Sequence, residues 1–407
     1  MAEELRIVLR NYGKIDPLNI DDYLNAGGYK GLEKARSMSQ LDVINEVRKS
    51  NLRGRGGAGF NTGAKWSFAY NTGAEEKYVV CNADEGEPGT YKDRIIMEND
   101  PQSLLEGMAI CAYAIGAKKG YIYCRGEYPY VVEKLNVAIQ QAKDKGCLGD
   151  FDIEVRMGAG AYVCGEESAL IESIEGHRGE PRFKPPYPPV KGLWNKPTIV
   201  NNVETFANLP VILEKGADWY SSIGAKSYPG TKVLTLTGDV VNRTFIEVPT
   251  DTTIRQVIYD FGGGIPNGKK FKAVQIGGTS GGFIPAEFLD TSIDFDSMAA
   301  IGATLGSGAV FVMDETRDMV DVIKRITKFF EHESCGKCSP CREGTKRMHE
   351  IICRLTAGQG SADDLSNMER LGRVMSVACL CGLGQAAPAP FLTTLKHFAG
   401  DYNAYLN

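Results

Sequence analysis

The chain has 407 residues, 43% hydrophobic and 24% charged, with a formal net charge of −5. This is long enough for two or three domains of ordinary globular composition, and the lack of a basic block argues against a nucleic-acid partner. The 11 cysteines, with no apolar signal core in Met1 to Arg6, point to a reducing, cytoplasmic compartment and to metal chemistry rather than disulfides. The longest uncharged run, Ser297 to Met313, is short, broken by glycines and flanked by acids, so it reads as a buried strand with a turn and not as a membrane span.

Residues 1–38 read as an irregular arm with a short helix near Asp21 to Leu24. Ser39 caps a helix from Gln40 to Ser50, in which Leu41, Ile44 and Val47 share a face. The following loop satisfies Gly-x-Gly-x-x-Gly at Gly54, Gly56 and Gly59. A dinucleotide fingerprint should follow a strand, and here a helix precedes it. It is not a P-loop either, because Ala64 separates Gly63 from Lys65. The glycines, Gly57 included, let backbone N–H groups approach a phosphate or a flat ring, with Arg55 and Lys65 adding positive charge; a plain flexible turn is the alternative. Phe60, Trp66 and Phe68 could stack on nicotinamide or adenine, although core packing is the commoner role of a single aromatic.

Lys77 to Cys81 is a strand running into Asn82-Ala83-Asp84-Glu85-Gly86-Glu87-Pro88-Gly89. Ligands of open α/β sheets bind beyond the carboxyl ends of strands. These acids cannot welcome phosphates, but they accept hydrogen bonds from ribose or ribityl hydroxyls or from ring N–H groups; a solvated acidic turn is the rival reading. A helix from Pro101 to about Ile115, a strand at Gly120 to Cys124, a helix at Tyr130 to Ala142 and a strand at Phe151 to Arg156 give a βαβ rhythm and predict a parallel sheet. Gly158 to Ser168 is a second glycine-rich loop, with Gly165, Glu166 and Glu167, opening a helix to about Glu175. Two such loops suggest one cleft for a cofactor and a second ligand. A stiff proline-rich stretch carries Lys184 and Tyr187. Asn201 and Asn202 lead into another helix, and their amides suit a pyrimidine edge or a phosphate.

From Lys232 the texture changes to a small α+β unit. Its strands are Lys232 to Thr237, Phe245 to Val248, Ala273 to Ile276 and Ala309 to Val312, with a helix at Thr253 to Tyr259. Beyond Asp318 helices hold most of the remaining cysteines. Cys335, Cys338 and Cys341 are spaced by two residues each, which lets three thiolates converge on an iron–sulfur cube needing four. Zinc sites pair Cys-x-x-Cys units or combine them with histidines, so this spacing favours iron–sulfur over zinc. Lys337 and Arg342 would offset an anionic cluster. For the fourth ligand, Cys353 sits inside a helix and reads as a small buried hydrophobe. Cys379 and Cys381 follow a helix from Asp363 to Val377, and Cys381 is preferred because Gly382 lets backbone amides approach cluster sulfurs.

Taken together, GRGGAGF with a downstream Lys–Trp, CNADEGEPGT, AYVCGEE, VNNVET and ESCGKCSPCREG with a distant CGLG resemble the NADH-binding flavoprotein subunit of respiratory complex I and of soluble NAD-linked hydrogenases and formate dehydrogenases. The similarity runs from Arg53 to about Pro390. It implies an FMN- and NADH-binding α/β domain with a Rossmann-like fold (residues 1–228), a β-grasp domain (229–315) and a helical iron–sulfur domain (316–407). It implies that Phe60 and Phe68 flank NADH with Lys65 nearby. Asn82, Asp84, Tyr162, Gly165, Glu166, Asn201 and Asn202 would surround FMN. Glu87, Glu167 and Lys184 would lie in the nucleotide pocket, with Glu85 and Thr205 counted among the cofactor-binding residues. Cys335, Cys338, Cys341 and Cys381 would hold a 4Fe-4S cluster. Tyr187 departs from the family's frequent phenylalanine.

The implied activity is NADH dehydrogenase (diaphorase) chemistry, with hydride passing between NADH and FMN and single electrons passing to the cluster, and with no side chain acting as acid or base. The ending CGLGQAAPAP favours the hydrogenase-type relatives over complex I. No cysteine precedes Cys81 and none follows Cys381, so further relays are expected on partners: a thioredoxin-like 2Fe-2S subunit and an iron–sulfur-rich catalytic subunit, without membrane insertion. Two readings of other classes stand beside this one, a flavin-free electron relay and a zinc-stabilised structural subunit.

Overall fold

A computed structural model describes residues 3–406. The first sheet has four parallel strands, β1 (Tyr78–Ala83), β2 (Lys119–Cys124), β3 (Asp152–Met157) and β4 (Thr198–Asn202), in the order β3-β2-β1-β4. The chain moves outward from β1 through β2 to β3 and then returns to the other side of β1. That reversal makes the carboxyl ends of β1 and β4 the switch point where such sheets open a crevice. The register sets Cys81 beside Asn201 and Asn82 beside Asn202.

Helix Pro101–Ile115 lies under this sheet and is apolar nearly all round, as a fully enclosed helix must be. Asp100 caps it by accepting from the Ser103 N–H, proline occupies the first turn and Gly116 ends it in the left-handed region. Helix Val203–Lys215, capped by the Asn202 side chain, packs across it.

The second sheet has five strands in the order Phe283–Pro285, Phe271–Ile276, Ala309–Asp314, Thr231–Gly238 and Thr244–Pro249. Its one parallel pairing joins Ala309–Asp314 to Thr231–Gly238. The N-terminal arm is tied to this sheet: Val8 and Leu9 donate their N–H groups to the Glu247 carboxylate at 2.9 and 2.8 Å. Helices Met319–Glu333, Ser339–Thr356, Ala362–Ala378 and Ala389–His397 build the C-terminal part. Among the described residues no helix is long and apolar enough to cross a membrane.

The structure departs from the sequence reading at several elements. The arm holds a second helix, Lys30–Arg36, and helices Thr62–Tyr70 and Lys92–Asn99 follow the two ligand loops. The start of the Ser297 to Met313 run is helical, not extended: Asp294 caps helix Phe295–Ala300 by accepting from Asp296 and Ser297, and the strand begins only at Ala309. The short strand Phe283–Pro285 carried no periodic signal, having too few residues to alternate.

Candidate functional site

Three segments converge on the crevice between β1 and β4. The loop after β1 brings Asp84 to Thr90, the loop after β3 brings Tyr162 to Glu166, and β4 ends at Asn202. Two contiguous clefts of about 230 and 360 Å³ share Asp84, Gly86, Glu87, Thr90 and Tyr162 as walls. Together they are the size of a small-molecule site.

The first glycine loop closes one side. Gly56 lies so close to Asn202 that a Cβ there would sit 2.9 Å from the Asn202 Cβ. The Gly54 N–H donates to the Phe60 carbonyl at 2.9 Å and closes the loop's neck. Gly57 and Gly59 turn with positive φ, Gly57 against Gly306 and Gly59 against the Phe295 ring. Of these four glycines only Gly56 borders the cleft.

Arg55 corrects the expectation of a charge beside the loop. It is fully buried, with its guanidinium 4.0 Å from the Tyr228 ring centroid and a hydrogen bond to the Tyr220 hydroxyl at 3.0 Å. Its backbone N–H donates to Thr205 Oγ1 at 2.9 Å. Arg55 and Thr205 therefore pin the loop from behind and lie outside the cleft. Asn201 likewise turns inward, accepting from the Trp66 indole N–H at 3.1 Å.

Asn82 donates to the Gly165 carbonyl at 2.8 Å and ties two of the loops together. The Tyr162 hydroxyl donates to Glu87 at 2.6 Å, and the other Glu87 oxygen accepts from the Ser280 N–H at 3.1 Å. Glu85 caps helix Lys92–Asn99 by accepting from the Asp93 and Arg94 N–H groups at 2.8 and 3.1 Å. Asp84 Oδ2 is buried in the cleft and has no hydrogen-bond partner. Burial pushes Asp84 up to about 7 and Glu85 up to about 8.

At the rim, Lys65 donates to Glu167 and to the Val200 carbonyl, both at 2.8 Å. Lys184 reaches Glu166 at 2.6 Å and Glu167 at 3.3 Å. Glu166 also caps its helix through the Ser168 and Ala169 N–H groups. Phe60 and Phe68 are 54% and 52% exposed with centroids 6.4 Å apart. Exposed paired rings are not packing a core, which favours a stacking role.

Sequence reasoning missed several lining residues: Thr90, Lys92, Asp93, Val163, Ser307 and Leu383. Lys92 and Asp93 follow the acidic loop at the start of a helix, where an N-terminal signal was readable. Ser307 arrives from the second sheet, hydrogen-bonded to Thr90 at 2.6 Å, and no local pattern announces it.

A smaller cavity, lined by Cys335, Cys338, Cys341 and Cys381 with Gly336, Lys337, Pro181 and Leu380, lies in the helical part. Cys338 is the N-cap of the 18-residue helix Ser339–Thr356, whose positive end favours an anion there. Cys379 ends helix Ala362–Ala378 and packs against Gly384, with its thiol hydrogen-bonded to Cys341 and outside the lining of the cavity. The hydrogen bond between the two thiols, against the opposing effect of burial and with help from the Ser334 hydroxyl at 3.3 Å, holds Cys341 below the usual thiol range. Cys353 lies further along its helix beside His349. Val163 and Leu383 line both this cavity and the flavin-sized cleft. The residues fit both groups: an orphaned acceptor in a polar cleft suits a ring N–H, and four cysteine side chains around one small cavity suit an iron–sulfur cube.

Comparison with known proteins identifies two matched regions. Residues 47–211 match the Nuo51 FMN-binding domain, and residues 321–405 match the NADH-ubiquinone oxidoreductase-F iron-sulfur binding region. The chain is 51% identical over 413 residues to the NADP-reducing hydrogenase subunit HndC of Solidesulfovibrio fructosivorans, covering 100% of this chain and 84% of that one. It is 45% identical over 409 residues to an NADH-quinone oxidoreductase F-type subunit of Rhizobium meliloti, covering 98% and 97%. Among solved structures, the NAD+-reducing [NiFe]-hydrogenase in the H2-reduced state superposes with a TM-score of 0.87 at 36% identity, over 93% of this chain and 65% of that one.

Proposed function

Because the chain belongs to the family of NADH-oxidising flavoprotein subunits that bind FMN and a 4Fe-4S cluster, we propose that it is the NAD(H)-linked entry or exit point of a soluble, hydrogenase-type oxidoreductase. The hydrogenase assignment is supported by the 51% identity to a hydrogenase subunit, against 45% to the quinone oxidoreductase relative. The latter makes the NADH-binding subunit of complex I the second reading. The chain spans 65% of the matched hydrogenase chain. In this reading hydrogen activation is carried by partners, a thioredoxin-like 2Fe-2S subunit and an iron–sulfur-rich catalytic subunit. The proposed division of the chain is a flavin unit at 1–228, a β-grasp unit at 229–315 and a cluster unit at 316–407.

One observation carries this reading: the cleft and the four-cysteine cavity share the walls Val163 and Leu383. Bound in the cleft, FMN would supply the conversion between the two electrons of a hydride and the single electrons a cluster accepts. The protein's own residues orient and insulate. Phe60 and Phe68 offer ring faces to the dinucleotide, and the Lys65–Glu167–Lys184–Glu166 network holds the rim polar and rigid. Asn82, Asp84, Gly165 and Asn202 present fixed donors and acceptors around the cofactor. Val163 and Leu383 exclude water from the short path to Cys335, Cys338, Cys341 and Cys381. Hydride transfer needs alignment, not a proton acid, so no catalytic acid or base is assigned.

The test is anaerobic. NADH is added to the chain loaded with flavin and cluster, and visible absorbance and EPR are recorded. Bleaching of the flavin band followed by a reduced 4Fe-4S signal is the expected result. Gly56→Val, whose side chain must displace Asn202, is expected to lose most of its flavin. A loaded sample that NADH does not bleach would overturn the reading.

A further inference from the structure

The flavin cleft is acidic. Asp84, Glu85, Glu87, Asp93 and Glu166 line it, and among its described lining residues Lys92 is the one cation. Arg125 borders the adjoining cleft, but it is paired with Glu127 and the Glu85 carbonyl. Lys92 is 1% exposed, and its ammonium is engaged inside the protein by Asp93 Oδ1 at 2.6 Å, Asn202 Oδ1 at 3.0 Å and Glu204 Oε2 at 3.0 Å. Held by two hydrogen bonds and an ion pair inside the protein, the ammonium is fixed in place. It acts as a fixed charge.

Asn202 in turn donates its amide N–H to Asp93 Oδ2 at 2.7 Å. Lys92 and Asp93 therefore hold the two ends of the Asn202 amide and fix its orientation at the cleft. Behind them lies Glu204, fully buried. It accepts from the Lys232 ammonium as well, and from the Val233 N–H at 2.9 Å. Lys232 is also fully buried and does not reach the cleft. Burying an ammonium costs several kcal/mol, and apolar side chains of similar volume usually pack as well. Two lysines in line around one carboxylate are thus an expensive way to join two sheets; with Glu204 and Asp93 as their counter-charges the four groups are close to neutral, so loss of either ammonium leaves the acidic cleft more negative.

We propose that Lys92 is a positioning residue of the flavin site, locking the Asn202 amide and supplying the fixed positive charge that favours the reduced flavin, and that Lys232, acting through Glu204, sets how much of that charge the cleft feels. The inference rests on the cleft being the flavin site. Electrons arriving there add negative charge in a poorly hydrated space, where a nearby cation counts for far more than in water. Burial works against the charge on Lys92, and Asp93, Glu204 and Glu85 outweigh it. Lys232 faces Glu204, Lys92 and Asp93; burial is the larger effect there and brings its ammonium down to about 8. Above that pH Lys232 is neutral, Glu204 is left to Lys92 alone, and the positive field in the cleft falls.

The experiment is an anaerobic spectroelectrochemical titration of the bound flavin from pH 6 to pH 10, in the full chain loaded with flavin and cluster. Wild type is compared with Lys232→Met and Lys92→Met. At pH 7 Lys232→Met is expected to disfavour reduction about tenfold, or about 30 mV for a two-electron couple, and the difference is expected to close above pH 9. Lys92→Met is expected to lower the potential further at every pH. A bound flavin whose potential in Lys232→Met matches wild type throughout, or differs by the same amount at every pH, overturns the proposal. If Lys92→Met holds no flavin, Lys232→Met alone decides, since it leaves the cleft lining intact. Full flavin retention by Gly56→Val would instead mean that the cleft is not the flavin site, a failure of the cofactor placement and distinct from flat potentials in a cleft-bound flavin.

Discussion

Asp84 shows how a single carboxyl can be both a binding group and a liability. Its Oδ2 is buried without a partner, and burial, ahead of the opposing attraction of Arg125, raises it from an ordinary 3.8 to about 7. Between about pH 4 and pH 7 the folded, cofactor-free protein holds a proton that the unfolded chain has already released. Its stability is therefore present at the acid side and lost as pH rises through that window. The cost is at most about 4 kcal/mol at pH 8. Asp84→Asn is expected to flatten this dependence, which melting temperatures of apoprotein at pH 5 and pH 8 will check. The same substitution is expected to weaken flavin retention about tenfold, the worth of one well-placed acceptor, read by the fluorescence of released flavin. For Asp84 the sequence left a ligand acceptor and a solvated acidic turn side by side, and its burial without a partner argues against the solvated turn. The place of Arg55 was not legible. Its charge sits beside glycines in the sequence, but the partner that takes it out of the cleft, Tyr220, lies 165 residues away.

At the scale of elements, the turn from helix Ala362–Ala378 into Gly382–Ala386 carries both candidates for the fourth thiol. Cys379 closes the first helix and Cys381 opens the second. Of the two, Cys381 lines the cavity with Cys335, Cys338 and Cys341, while Cys379 packs against Gly384. Cys381→Ser is expected to reduce iron and acid-labile sulfide to well under half of wild type. Cys379→Ser is expected to keep both and to change only the cluster's surroundings. Metal and sulfide analysis of the two variants, with EPR, checks this. The parallel sheet and the capped helix Pro101–Ile115 were legible because each has its own period or cap, the alternation around β3 or Asp100 with Pro101; strand β4, and with it the switch point, was not, since Asn201 and Asn202 read only as a lead into the next helix. Helices Thr62–Tyr70 and Lys92–Asn99 were hidden by the loops they follow. The five strands of the second sheet were read one short, since Phe283–Pro285 is held by tertiary pairing and not by its own pattern.

At the scale of the whole molecule, the cleft is where three parts of the chain meet. The parallel sheet and its loops supply its floor. The second sheet touches it through Ser280 on Glu87 and Ser307 on Thr90. The C-terminal helices reach it through the end of helix Met319–Glu333, where Glu333 accepts the Tyr162 N–H at 3.0 Å. Glu333 stands two residues before Cys335, so this one hydrogen bond links the loop that shapes the cleft to the segment that carries the cysteines. Glu333→Ala removes the link and one carboxyl at the edge of the adjoining cleft, while leaving every residue that lines the flavin cleft and every cysteine in place. A hydrogen bond to a charged group contributes about 1.5–3 kcal/mol, too little to unfold a chain of this size but enough to loosen the docking of one part on another. Flavin and cluster content are therefore expected to stay at wild-type levels, and bleaching by NADH is expected to proceed normally. The step after it should suffer: in rapid-freeze EPR the reduced-cluster signal is expected to grow in severalfold more slowly, because Val163 and Leu383 no longer hold the two sites at a fixed separation. Equal slowing of bleaching and of the cluster signal would place the role of Glu333 in the flavin cleft itself, and unchanged rates would mean that the shared apolar wall is rigid without it.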